Sequence, residues 1–134
     1  MRIRISDGSV IFEDGLIQRI DERETFLASQ LGKSAKVRLV SNEWWHITVA
    51  PESGVSAKLL FRGDRLQQVY LVIKMDTDAP KEWTKELEFR RKGLHDRWLA
   101  QELGAPPYRY AWGCIDSEFD QKGCVSEIIV TYAD

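Results

Sequence analysis

With two cysteines in 134 residues, the chain lacks the disulfide framework of a small secreted domain, and two thiols suit a reducing compartment equally well. Its four prolines and nine glycines fall in no repeat or low-complexity run, so neither a linker nor a repeat array is indicated. No uncharged run approaches the ~18 residues of a membrane span. The opening Met1-Arg2-Ile3-Arg4-Ile5-Ser6 has no apolar stretch long enough for a signal peptide. A basic excess is also missing: 19 Lys and Arg against 21 Asp and Glu leave a net charge of −2, which disfavours nucleic acid as a partner. There is no glycine-rich phosphate loop, no G-x-S-x-G elbow and no H-E-x-x-H pair, which weighs against nucleotide and hydrolase chemistry. These absences make the cytoplasm the default compartment and leave a basic protein or a neutral ligand as the partner.

What is present suits one ordinary globular domain spanning residues 1–134. Hydrophobic residues make up 43% of the chain and charged residues 30%, and five Trp, four Tyr and five Phe supply area for a core. Met1–Ile5 alternates as a half-buried strand, and Val10-Ile11-Phe12 lies between the turn signals Asp7-Gly8 and Asp14-Gly15 as a second strand or a loop. Asp21 and Glu24 have capping-box spacing, and Gly32 follows Leu31. A helix over residues 22–31 follows, with Phe26, Leu27 and Leu31 inward.

A β-rich middle comes next: Ala35–Val40, Glu43–Ala50, Ala57–Arg62 and Arg65–Lys74, with turns at residues 51–54 and at Gly63-Asp64. Val69–Ile73 is apolar on both parities, the mark of a central strand at least partly covered on both faces. Asp76–Pro80 reads as the capped start of a long helix, with Trp83, Leu87, Leu94, Trp98, Leu99 and Leu103 as its apolar stripe, interrupted at Arg90 and Arg91. Gly104 and Pro106-Pro107 end it. A hairpin of Tyr108–Glu118 and Val125–Tyr132 closes the chain around a turn near residues 120–123. With so few helices to serve as crossovers, the economical fold is α+β: an antiparallel, meander-like sheet against one long and one short helix.

The chemistry-bearing residues are thinly spread. His46, His95, Cys114 and Cys124 would have to converge for a cysteine nucleophile with its base, and neither thiol sits at a helix N-terminus that would activate it. Buried structural thiols are the simpler reading. The cysteines are ten positions apart and the histidines forty-nine, unlike the close pairs of zinc sites, so no metal or other cofactor is implied. In a regular hairpin whose paired positions sum to about 243, Cys114 and Cys124 lie roughly 17 Å apart, too far for a disulfide. Two free thiols are predicted. His95 and Asp96 are helix neighbours about 100° apart and do not face each other. Asp76 and Asp78 suit capping better than a calcium loop. Arg90-Arg91-Lys92 reads as a solvated helix face.

The strongest pointer to function is an aromatic and polar sheet face. With Trp45, Ile47 and Val49 toward the helices, Trp44, His46 and Thr48 project from the opposite side, joined by Tyr70, Tyr110 and Trp112. Trp and Tyr anchor protein interfaces. The alternative is that loops or the N-terminal strands cover this face and make it a second core layer.

The run His95-Asp96-x-Trp98-Leu99, Leu103-Gly104, Tyr108-Arg109-Tyr110-x-Trp112-Gly113, Asp120 and Ile128–Tyr132 resembles a pattern of small bacterial proteins without an assigned activity, over about a third of the chain. By size and composition the chain is also similar to immunity proteins that neutralise a neighbouring toxin. That resemblance implies steric occlusion, with Glu13, Asp14, Glu43 and Glu52 meeting a basic cleft. The reading is a non-enzymatic binding protein that docks another protein. The competing readings are a small-molecule site or enzyme in a helix–sheet pocket using His46 or His95, and a homodimer joined through an edge strand.

Overall fold

The structure, a computed structural model, describes residues 1–75 and 84–133. Three short strands open the chain, β1 (Arg2–Ile3), β2 (Val10–Phe12) and β3 (Gly15–Ile17), and they pair with one another as a separate sheet. Helix α1 (Arg23–Ala28) and one 3₁₀ turn (Gly32–Ser34) lead into β4 (Lys36–Ser41), β5 (Trp44–Glu52), β6 (Val55–Arg62) and β7 (Arg65–Ile73). After helix α2 (Lys85–Leu103) come β8 (Tyr108–Tyr110), β9 (Gly113–Asp120) and β10 (Val125–Tyr132). The last seven strands form one antiparallel sheet in the order β4-β5-β6-β7-β10-β9-β8. The fold is therefore α+β, a meander extended by a C-terminal hairpin.

Strand register explains the core. Val37, Ile47, Leu59, Val69, Val130 and Ile115 face one another in a single row across the inner face. From Ile47 to Ile115 the row is buried, whereas Val37 on the edge strand is 45% exposed, so the covering layer ends at β5. That layer is built from both ends of the chain. Ile3, Val10, Phe12 and Ile17 of the small sheet and Phe26 of α1 join the same buried cluster, as does Leu99 of α2. Tyr132 Oη donates to the carbonyl of Gly8 at 2.8 Å, and the Met1 ammonium meets Glu52 at 3.2 Å. Gly113 must be glycine: its φ is +151°, and a Cβ there would lie 1.9 Å from the carbonyl oxygen of Thr131.

Several elements differ from the sequence reading. Helix α1 stops at Ala28, and Asp21 does not cap it; the Asp21 carboxylate instead accepts from Gln18 Nε2 at 3.3 Å. The N-cap of α2 is Thr84, whose hydroxyl accepts from Leu87 N at 3.2 Å; the proposed start at Asp76–Pro80, and Trp83, lie outside the described residues. The inward side of α2 is Glu88, Arg91, His95 and Leu99, while Leu87, Leu94 and Trp98 are half-buried at its flanks. Arg91 is thus no part of a solvated face: it donates to Glu88 Oε1 at 3.1 Å and to the carbonyl of Ile73 at 2.8 Å. Tyr108–Glu118 is not one strand, because the chain reverses at Ala111-Trp112 between β8 and β9. Paired positions in β9–β10 sum to 245, with Val125 opposite Asp120, which puts Cys114 opposite Thr131. Both cysteines are free thiols.

Candidate functional site

The sheet face turned away from α1, α2 and the small sheet is covered by no element among the described residues. Among the described residues, no side chain that this face presents between β4 and β9 is buried. Its middle row runs Lys36, Thr48, Lys58, Tyr70, Ile129, Asp116 from β4 to β9, and the next row runs Arg38, His46, Leu60, Gln68, Thr131, Cys114. Both parities of β7 are apolar, yet only the parity of Val69 and Leu71 is buried. Tyr70 and Val72 on the other parity are half-buried, Tyr70 beneath Lys58 of the same sheet, so both faces of β7 are shielded at least in part.

Trp44, His46, Thr48 and Tyr70 share this face as alternation predicts. The Trp44 ring lies under Arg62, whose guanidinium carbon is 5.6 Å from the ring centre, and Arg62 in turn meets Glu43 at 2.7 Å. Lys58 Nζ stands 4.7 Å from the centre of the Tyr70 ring. Tyr70 Oη donates to Gln68 Oε1 at 2.5 Å and Gln68 Nε2 donates to Thr131 Oγ1 at 3.1 Å, a polar ladder from β7 to β10. His46 is held below its ordinary pKa, first by partial burial, then by the charges of Lys58 and Arg38. Lys36 and Arg38 make no ion pair among the described residues. The basic neighbours Lys36, Arg38 and Lys58 have the same strand parity as Thr48 and His46, a signal present in the sequence but masked by the overall acidic balance.

Tyr110 and Trp112 do not belong to this group. Tyr110 pairs with Gly113 on the inner parity and stacks on Trp112 at 5.1 Å. Trp112 Nε1 donates to the carbonyl of Ile5 at 2.6 Å, and its ring abuts Gly8. Both residues clamp the N-terminal loop to the end of the sheet. The expected acidic contacts are also partly engaged, since Glu43 pairs with Arg62 and Glu52 with the N-terminus.

The arrangement offers little for acid–base chemistry. His46 lines a shallow cavity of about 380 Å³ with Lys36, Val37, Arg38, Thr48 and Lys58, where neither a carboxylate nor a thiol faces it. His95 is fully buried; its Nε2 accepts from Ile73 N at 3.1 Å, and burial pushes its pKa down to about 4. A cavity of about 830 Å³ lies between the N-terminal loop, the β3–α1 connection and the β6–β7 turn, and no His or Cys lines it. Among the described residues no three His, Cys, Asp or Glu side chains group as metal ligands. No helix among them is long and apolar enough to cross a membrane. No family model, curated protein or solved structure matches the chain.

Proposed function

We propose that this chain is a non-enzymatic protein-docking domain of the cytoplasm, where both thiols stay reduced, and that it binds through the open face of its sheet. The observation carrying this reading is that a large sheet face centred on Tyr70, with Trp44 at its corner, has no buried side chain among the described residues. Aromatic anchors inside a polar surround are the composition of protein interfaces. Lys36, Arg38 and Lys58 call for an acidic surface opposite them, the reverse of acidic side chains entering a basic cleft. Steric occlusion is the action such a face supplies, and the immunity-protein role is its most concrete form.

The test is cross-linking from Lys36 and Lys58 in an extract of the native host, using wild type and Thr48→Glu, which sets a carboxylate on an exposed position between them. Links to a protein surface that appear with wild type and disappear with the variant support the reading. Links confined to Lys33 or Lys122, and indifferent to the variant, would sink it.

A further inference from the structure

Strand β4 is one of the two edges of the large sheet, and the other, β8, is only three residues long. β4 pairs with β5 alone, and its outward backbone groups make no hydrogen bond among the described residues. Edges of this kind are usually blunted by proline, by a charge turned toward the core or by a covering loop. β4 has no proline and no inward charge, and all six of its residues are exposed. A register shift between Leu39 and Ser41 limits the regular edge to residues 36–39.

The two sides of this edge differ. Val37 and Leu39 extend the inner rows of Ile47 and Trp45 past the covering layer and stay 45% and 50% exposed. Lys36 and Arg38 stand on the open face opposite Thr48 and His46, and make no ion pair among the described residues. A strand added here meets two apolar positions on one side and two cations on the other, in alternation. A second copy of the chain fits this badly. Opposite residues of an antiparallel pair share a face, so a two-fold that pairs residues 36–39 with themselves sets Arg38 against Arg38 or Lys36. Like charges directly opposite destabilise a strand pair. A strand alternating acidic with β-branched residues fits instead, its carboxylates beside Lys36 and Arg38 and its apolar side chains beside Val37 and Leu39.

We propose that β4 takes up an extended segment of a partner protein as a further strand of the sheet, with acidic and apolar residues alternating along it. This rests on the docking reading and gives the chemistry of its partner. Main-chain hydrogen bonds to the β4 edge hold the segment, and Lys36 and Arg38 select it. The carboxylates it brings are part of the acidic surface that the cations of the open face call for.

Sedimentation of a fluorescein-labelled peptide with the purified full chain tests it, the peptide being about six residues of alternating Glu and Val. Wild type should bind it, hydrogen exchange at the β4 amides should slow in the complex, and raising salt from ~0.05 to ~0.5 M should weaken binding several-fold. A peptide of the same composition with Glu and Val in two blocks, and one N-methylated at every amide, should each bind at least tenfold more weakly. Lys36→Glu/Arg38→Glu should lose the Glu–Val peptide and bind a Lys–Val peptide of the same alternation, which also shows that the variant folds. Binding that tolerates N-methylation or the block order overturns strand addition, and so does a wild type that leaves the alternating peptide free at millimolar concentration. Links from Lys36 and Lys58 to a host protein would then leave the docking reading standing without it, whereas their absence sinks both.

Discussion

Two ring nitrogens of His95 meet very different surroundings. Nε2 accepts the backbone N–H of Ile73, so the neutral ring carries its proton on Nδ1, which is buried and has no hydrogen-bond partner among the described residues. Protonation would turn Nε2 toward the Ile73 N–H as a second donor. Burial and the Arg91 charge therefore hold the pKa down at about 4, against the smaller opposing pull of Asp96 and Glu88. The sign of the linkage follows. Between pH 6.5 and about 4 the unfolded chain binds a proton that the folded chain refuses, so stability falls as pH falls through that window and levels off below it. The slope is about 1.4 kcal/mol per pH unit, and the whole loss is on the order of 3 kcal/mol. Urea midpoints across the window should show this decline in wild type and a markedly shallower one in His95→Gln, whose amide oxygen can still accept from Ile73. Equal slopes in both proteins would place the acid sensitivity elsewhere.

Strand β4 shows what the edge of the sheet tolerates. All six of its residues are exposed, and Val37, Leu39 and Val40 are 45%, 50% and 47% accessible. Val37 and Leu39 point to the inner side, opposite Ile47 and Trp45, but the covering layer does not reach them. An exposed apolar edge strand invites association. Leu39→Lys should accordingly lower light scattering on concentration or heating while changing the urea midpoint by no more than ~0.5 kcal/mol. The strands were legible in the sequence because period-two alternation survives wherever one face is covered: β4, β5, β6 and β7 fall within a residue or two of their expected spans. Helix α2 was legible as a helix but not in its orientation. Its inward positions Glu88 and Arg91 are polar because Ser126 N donates to Glu88 and Arg91 donates to the Ile73 carbonyl, and no periodicity of α2 encodes those distant partners. The small sheet escaped for another reason: strands of two or three residues carry too little alternation to reveal that they pair among themselves. The site was half legible, since parity alone groups Trp44, His46, Thr48 and Tyr70, while Tyr110 and Trp112 were misplaced by the unread reversal at Ala111-Trp112.

At the scale of the whole molecule, the inner face of the sheet holds the fold and the outer face is the one proposed to hold a partner, and this separation can be measured. The inner face is closed by a contact between the two ends of the chain, in which Trp112 donates to Ile5, packs on Gly8 and lies 5.8 Å from Tyr132. Gly8 has φ +74°, and a Cβ there would meet the Trp112 ring at 2.6 Å, so this clamp has no slack. Trp112→Ala removes the ring and its indole donor and should cost roughly 3 kcal/mol in a urea titration. Because the clamp and the open face share no side chain, the folded fraction of Trp112→Ala should associate with wild-type affinity. Thr48→Glu should do the opposite. Its stability should stay within ~0.5 kcal/mol of wild type, since Thr48 is exposed, while its association weakens because the new carboxylate sits between Lys36 and Lys58 and offsets their charge toward an acidic surface. Measuring both variants by unfolding and by sedimentation gives four outcomes, of which only the crossed pattern fits a sheet whose inner face holds the fold and whose outer face holds a partner. Parallel losses in both assays would mean that docking and folding draw on the same contacts.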